Sequence, residues 1–452
     1  MRAIVFSAAL LSMAVLGCDQ RQSDAGEGPD LLVVLAPGAS LPDVLAGGLV
    51  RVPAPVLEPA GILLLSAPDA EAAAAGVERV ALMPGVASVE PDSEWRLIEP
   101  VAVGPPAASP RVGADALALD PLVPSQYQHG LVRSPDAWAR AVTGGGAVIA
   151  IVDTGIDCAH PDLDCLPGRD FTGSGGAHDG HGHGTHVAGI AGARGGNAIG
   201  GSGIAIQSRV VPVRVLAASG SGSMSSIASG IVWAADAGAH VINLSLGGPA
   251  PSAALEAAVE YARRAGAVVV CAAGNAGSAS PLYPAALPGC VGVGATDGQD
   301  VATRWSSYGI NAQVAAPGDD ILSTCRGGGH CRMSGTSMAA PVWAGAAALG
   351  RARGLSRAQV ESDLRVLGDP VTGTLAGLRR PNLDLTSWHW AGAPGPTPRP
   401  TERPTAVIVT STPAPSYPGP APTPCIGTAL RFDVGDGGAA APFIGPVLVP
   451  CP

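Results

Sequence analysis

A chain of 452 residues is larger than one small domain and leaves room for a substantial core with appended segments. Apolar residues make up 47% of it but aromatics only 4%, with 63 Gly and 43 Pro, so the core must be built from Val, Ile, Leu and Ala between many tight turns. The net charge is -10 and every basic residue is Arg, which leaves no basic surface to neutralise phosphates and argues against nucleic acid as a partner.

Residues 1–18, MRAIVFSAALLSMAVLGC, carry one early Arg, an apolar run and a small residue before Cys18. That is an export signal, too short to stay in a bilayer as a spanning helix. AVLGC is similar to the lipobox of bacterial lipoproteins, which implies lipidation at Cys18 and attachment to the cell envelope. The alternative is cleavage nearby and a secreted, soluble product. A lipid there is the one membrane contact expected.

Eight further cysteines remain: Cys158, Cys165, Cys271, Cys290, Cys325, Cys331, Cys425 and Cys451. An even number in an exported chain points to disulfides, and the short separations favour Cys158 with Cys165 and Cys325 with Cys331.

Residues 30–99 read as strands and helices in alternation (DLLVVLAP, a short helical piece, GILLLSA, EAAAAGVERVALM, VASVEPD), the pattern of a small α+β unit with an antiparallel sheet. A Pro, Ala and Gly rich connector, residues 100–119, follows and is open to cutting. Across residues 120–390 short β-branched runs bounded by Gly (AVIAIVDTG, VVPVRVL, HVINLSLGG, AVVVCAAGN, CVGVGAT) alternate with helical stretches. Runs apolar on both faces are buried parallel strands, so this part is expected to be α/β, a parallel sheet with helices on both faces. Residues 391–424 are a Pro and Thr rich spacer, and residues 425–452 a tail too short for a domain unless a disulfide closes it.

In an open α/β sheet the loops at the carboxyl ends of the strands converge on one crevice. AVIAIV ends there in Asp153, a carboxylate able to orient an imidazole, although an Asp in this place is commonly a turn former. DGHGHGTHVAGIAG holds His181, His183 and His186 before a helix of small residues. Three His suggest zinc, but the HExxH signature and a nearby Cys are both missing. In GTSMAAPVWAGAAALG, Ser337 opens a helix; a Ser there is ordinarily a cap, yet the same place offers N–H groups and the positive end of the dipole to an oxyanion. Asn275, just past VVVCAAG, can aim its amide at the same point.

DTGID with HPDL, HGTHVAG, AAGN and GTSMAAP occur in the order Asp, His, Asn, Ser, and on these motifs residues 120–384 resemble the subtilisin family, including its proteinase K and thermitase branches. The resemblance implies a serine endopeptidase with Asp153, His183 and Ser337 as its triad and Asn275 in the oxyanion hole. It implies a cleft in which Gly220, Ser221 and Gly222 on one side and Ser245, Leu246 and Gly247 on the other pair with an extended polypeptide substrate, with Ala272, Ala273 and Gly274 lining it. MPGVASVEPD resembles the end of an inhibitory prosegment, so residues 30–99 are expected to inhibit the chain's own cleft and to be cut off between about Leu97 and Asp120. GGNAIGGSGIA resembles the family's calcium loop, implying one structural calcium held by Asp120, Asp162, Asn197 and the carbonyls of Ile199 and Gly201. Catalysis itself needs no cofactor, and the enzyme is expected to act as a monomer. AGSASPLYPAALPG, after AAGN, contains no Asp or Glu, which implies cleavage after apolar or aromatic residues rather than basic ones. The rival reading is a catalytically inactive surface-binding lipoprotein on the same fold; the intact motif set argues against it.

Overall fold

The computed structural model describes residues 30–41, 48–101, 120–391, 426–433 and 441–448. The export signal, Cys18, most of the connector, the Pro-rich spacer, Cys425 and Cys451 lie outside the described residues, as do residues 42–47 of the stretch in which a short helical piece is expected.

The N-terminal unit comprises β1 (Leu31–Leu35), β2 (Val50–Val52), β3 (Ile62–Ser66), α1 (Ala70–Ala81) and β4 (Val86–Pro91). Its strands form an antiparallel sheet in the order β2-β3-β1-β4. Because successive side chains in a strand point to opposite faces, Leu31 and Val33 meet Ala73 and Val80 of α1, while Leu32 and Ile62 face the larger unit. Asp69 starts α1 by accepting from Ala72 N–H at 2.7 Å. After β4 the chain continues as β5 (Glu94–Leu97), which leaves this sheet.

The larger unit opens with α2 (Tyr127–Val132) and α3 (Ser134–Ala139) and continues through β6 (Val148–Asp153), β7 (Arg169–Asp170), α4 (His183–Gly192) and β8 (Arg209–Arg214). Next come β9 (Ser221–Ser223), α5 (Met224–Asp236), β10 (Val241–Leu244), β11 (Leu246–Gly247), α6 (Ala253–Arg264), β12 (Val268–Ala272), β13 (Val291–Thr296) and β14 (Val314–Pro317). A hairpin of β15 (Ile321–Cys325) and β16 (Gly329–Met333) precedes α7 (Thr336–Ala352). Seven strands pair in parallel in the order β14-β13-β12-β10-β6-β8-β7.

Alternation decides the layers. Ile149, Ile151, Val268 and Val270 pack with α4 and α7 on one face, and Ala150, Val152, Val269 and Cys271 with α5 and α6 on the other. The sequence expectation of a parallel sheet covered on both faces therefore holds.

Small residues let α7 run through the middle of this core. A methyl on Gly345 would meet Ile204 Cβ at 2.6 Å and the Ala191 carbonyl at 2.8 Å. Pro341 lies inside α7 and has no N–H for the carbonyl of Ser337 one turn earlier. That carbonyl accepts instead from the Ser245 hydroxyl at 3.2 Å, so the helix break serves as a link to the strand edge beside the cleft.

Among the described residues three disulfides are formed: Cys158–Cys165, Cys325–Cys331 and Cys271–Cys290. The first two are the pairs expected from spacing. The third joins β12 to the residue before β13, its parallel neighbour in the sheet, across a sequence separation of 19. Residues 426–433 and 441–448 form a separate antiparallel hairpin.

Candidate active site

Asp153 ends β6, where the carboxyl edge of the sheet opens, and it and His183 are wholly buried. Thr154 N–H donates to Asp153 Oδ1 at 2.7 Å, and His183 Nδ1 lies 2.9 and 3.0 Å from the two carboxylate oxygens. A carboxylate so placed keeps the imidazole proton on Nδ1 and makes Nε2 the acceptor. Nε2 is buried and has no hydrogen-bond partner among the described residues. Buried polar atoms are nearly always paired, so an unpaired one calls for a functional account.

His183 holds its place because the start of α4 is built on Asp179, a residue the sequence reading passed over. Asp179 is buried and accepts from the N–H groups of His181, Gly182 and Thr185 and from the hydroxyls of Thr154 and Thr185. Thr154 Oγ1 accepts in turn from Gly184 N–H. One carboxylate thus ties the loop after Asp153 to the helix end carrying His183. Its signal in the sequence was an Asp just ahead of a helix start, the ordinary mark of a cap. Gly184 is needed for the approach: a methyl there would lie 2.1 Å from the Gly155 carbonyl.

Asn275 is oriented by α7. Its Oδ1 accepts from the N–H and the hydroxyl of Thr336, each at 2.9 Å, and Gly274 N–H donates to that hydroxyl at 3.0 Å. With the oxygen committed, Nδ2 faces the cleft and donates to the Glu99 carbonyl at 2.7 Å. Ser337, the second residue of α7, donates its hydroxyl to the Ile98 carbonyl at 2.9 Å.

The cleft between the two glycine-containing segments is filled by the chain itself. β5 lies antiparallel between β9 and β11, with Trp95 opposite Gly222, Arg96 opposite both Ser221 and Gly247, and Leu97 opposite Leu246. Leu97 N–H donates to the Gly220 carbonyl at 2.8 Å, and Ile98 N–H to the Ser245 carbonyl at 3.4 Å. Beyond the cleft centre, Val101 N–H donates to the Ser334 carbonyl at 2.6 Å. Ala272 and Ala273 are buried at the end of β12, and Gly274 follows at the cleft floor with a φ of 103°. Of the nine residues expected to line the cleft, Gly220, Ser221, Gly222, Ser245, Leu246 and Gly247 flank residues 94–98, while Ala272, Ala273 and Gly274 lie at the end of β12.

Residues 144–364 match the family model described as the Subtilase family. Subtilisin Savinase of Lederbergia lenta is 46% identical over 231 residues, 51% of this chain and 85% of the relative. Thermitase of Thermoactinomyces vulgaris is 44% identical over 252 residues, 55% of this chain and 90% of the relative. A thermophilic serine proteinase of Bacillus sp. (strain AK1) is 45% identical over 253 residues, and the chain spans 63% of its length. The chain belongs to the subtilase family. Membership carries the subtilisin α/β fold and the reaction class of a serine endopeptidase.

The other two histidines of this subtilase do not join His183 around a common point. His181 is exposed, whereas His186 is buried with its Nε2 3.1 Å from the Cys331 carbonyl, and burial lowers its pKa to about 3. No helix among the described residues is long and apolar enough to cross a membrane.

The five residues expected at a calcium site do converge on one loop. Asp120 accepts from Gly196, Asn197 and Ala198 N–H and from the Ser202 hydroxyl. Asp162 takes Asn197 Nδ2 at 2.7 Å, Gly201 N–H at 3.1 Å and His330 Nε2 at 3.1 Å, while Asn197 Oδ1 takes Ile199 N–H. Two carboxylates and an amide beside a glycine-rich loop are oxygen donors of the kind a hard cation selects. In this arrangement the carboxylates are held by N–H and O–H donors of the loop and, for Asp162, by His330 of β16.

Proposed function

We propose that this subtilase is an exported endopeptidase that cuts extended polypeptides through Ser337, His183 and Asp153, and is made as a precursor inhibited by its residues 30–99. In the reaction Ser337 Oγ attacks the peptide carbonyl, His183 Nε2 takes its proton and returns it to the leaving amine, and Asp153 stabilises the imidazolium. Water then resolves the acyl-enzyme by the same route. Asn275 Nδ2 and the N–H of Ser337 receive the oxyanion.

The observation carrying this reading is the pairing of an Asp-held imidazole, free at Nε2, with a helix-start serine whose hydroxyl already touches a peptide carbonyl in the cleft. The same contacts support self-inhibition. Consecutive carbonyls are divided between the two groups, Ile98 on Ser337 and Glu99 on Asn275, so the strand is bound without one carbonyl meeting both nucleophile and oxyanion donor. Glu90 and Asp92 strengthen the grip. Glu90 accepts from Ala253 and Ala254 N–H and the Ser252 hydroxyl at the start of α6, and Asp92 from Ser225 N–H and hydroxyl at the start of α5. Carboxylates at helix N-termini satisfy orphan N–H groups and meet the positive end of the dipole.

Release of the prosegment requires a cut next to Ser337. Ile98 offers both the carbonyl on Ser337 Oγ and the N–H on Ser245, which supports a cut at the bond from Ile98 to Glu99, within the span from about Leu97 to Asp120 expected from the sequence. Fluorophosphonate labelling with N-terminal sequencing tests the whole reading. The wild-type chain should label on Ser337 and mature to a form beginning at Glu99, and Ser337→Ala should neither label nor mature. Maturation of Ser337→Ala at the wild-type rate when expressed alone would overturn it.

The export signal with a lipid on Cys18 supports delivery beyond the cytoplasm, with the cut then releasing the enzyme from its anchor. A calcium ion held by Asp162, Asn197, Asp120 and the carbonyls of Ile199 and Gly201 would brace the loop after α4 and takes no part in the chemistry. Binding only the native state, it raises the melting temperature by mass action. Chelation of the Ser337→Ala protein should therefore lower the melting temperature, and coincident curves with and without calcium would remove the ion from the account.

A further inference from the structure

Resting on the reading of Ser337 as the nucleophile, we infer that Asn243 of the central strand β10 is a positioning residue that sets Ser337 through the hydroxyl of Ser245. Asn243 is a wholly buried amide in the otherwise apolar strand VINL. It stands opposite Ile151 of β6 and Val270 of β12 and shares with them the face that packs on α7. Its Nδ2 donates to Ser245 Oγ at 2.9 Å, while its Oδ1 is buried without a hydrogen-bond partner among the described residues. A buried polar atom left unpaired is destabilising, and Leu would fill the same space without one. The amide is accounted for by what its nitrogen does.

Ser245 passes that contact on to the nucleophile. Pro341 leaves the Ser337 carbonyl without an N–H from the next helical turn, and the Ser245 hydroxyl donates to it at 3.2 Å. A hydroxyl has one proton and a carbonyl only accepts, so the proton stays aimed at Ser337 while the group on the other side of Ser245 Oγ is a donor. The NH2 of Asn243 is that donor; an acceptor in its place would compete for the proton. The chain from Asn243 through Ser245 to the Ser337 carbonyl therefore runs in one direction, and its two bonds strengthen each other. It ties the first turn of α7, which carries the Ser337 hydroxyl and N–H, to the end of β10. The main chain of Ser245 is engaged as well, since its carbonyl accepts from Ile98 N–H at 3.4 Å. Nucleophile and bound strand are thus both referred to one residue, whose side chain Asn243 holds. Misplacing reacting groups by about 1 Å lowers the rate roughly 100-fold, so loss of the chain should appear in kcat.

The test measures kcat, KM and the rate of fluorophosphonate labelling for matured wild type, Asn243→Leu, Ser245→Ala and the double variant. Asn243→Leu nearly keeps the shape and removes the donor, whereas Ser245→Ala removes the hydroxyl and keeps the carbonyl that holds the bound strand. Each single variant should lose about 10-fold to 100-fold in kcat and in labelling rate, with KM changed by less than about 3-fold. Because Asn243 acts through Ser245, the double variant should lose no more than the worse of the two singles. An unchanged kcat in Ser245→Ala overturns the inference, and so does a loss confined to KM or a double variant that loses the product of the two single effects. Asn243→Ala stands in, with the same outcomes, if the Leu variant does not melt cooperatively. A wild-type chain that fails to label on Ser337 removes the triad itself, a result distinct from wild-type kcat in variants that do label.

Discussion

The two sheets of this subtilase bury their apolar residues in different ways. In the seven-stranded sheet the central strands are covered on both faces by their own helices, and β6, β10 and β12 have scarcely an exposed residue. In the four-stranded sheet one face carries a core of nine residues under α1, and the other, with Leu32, Leu57 and Ile62, is part of the cluster of α5 and α6. A unit of this size rarely stabilises itself by more than about 3–5 kcal/mol. The small unit therefore completes its core on the large one and returns two helix caps and a strand. That exchange suits the proposed role of residues 30–99, in which binding is tight before the cut and dispensable afterwards.

The sharpest way to separate the two units is to damage chemistry in the large one without touching either core. Asn275→Ala should leave both sheets folded and lower kcat by about 10²–10³, or roughly 2.7–4 kcal/mol, the range known for the equivalent donor in subtilisin. Maturation should slow in proportion, as read by the lifetime of the uncut precursor. A variant that matures at the wild-type rate would place the oxyanion elsewhere.

Acid should act on stability through the large unit. His129 and His186 are buried in it, and burial lowers their pKa values to about 4 and about 3, while residues 30–99 contain no His. Between pH 6.5 and about 4 the unfolded chain binds protons at both sites and the folded chain does not. Stability therefore falls as pH falls, by about 1.4 kcal/mol per unit for each His at most. Urea titrations of Ser337→Ala at pH 7, 6 and 5 should show this slope, and His129→Gln should flatten it by one proton. An identical slope in the variant would assign the proton uptake to other groups.

The smallest effect concerns the grip between the units. Glu90→Ala and Asp92→Ala each remove a helix cap worth about 1 kcal/mol, so inhibition of the mature enzyme by added prosegment should weaken about 5-fold for each and multiply in the pair. Inhibition constants give the answer directly, and an unchanged constant in the double variant would leave β5 and the apolar face of the four-stranded sheet as the holding elements.

Much of this was legible in the sequence because the determining signals are local. Short runs apolar on both faces specify buried parallel strands whatever lies around them, and AVIAIV ending in Asp153 or GTSMAAP opening α7 places its polar residue at a strand or helix end by chain geometry alone. The spacing of Cys158 from Cys165 and of Cys325 from Cys331 likewise needs no knowledge of the fold. Other features exist only once distant segments meet. Asp179 reads as an ordinary helix cap until Thr154 arrives from another strand end, and Cys271 meets Cys290 because β12 and β13 are adjacent in the sheet. Leu282 looks like any loop leucine in AGSASPLYPAALPG; its proximity to Gly247 and Gly274 follows from the bridge between Gly248 and Tyr283, a pairing decided by the packed sheet and not by the residues beside it in the chain.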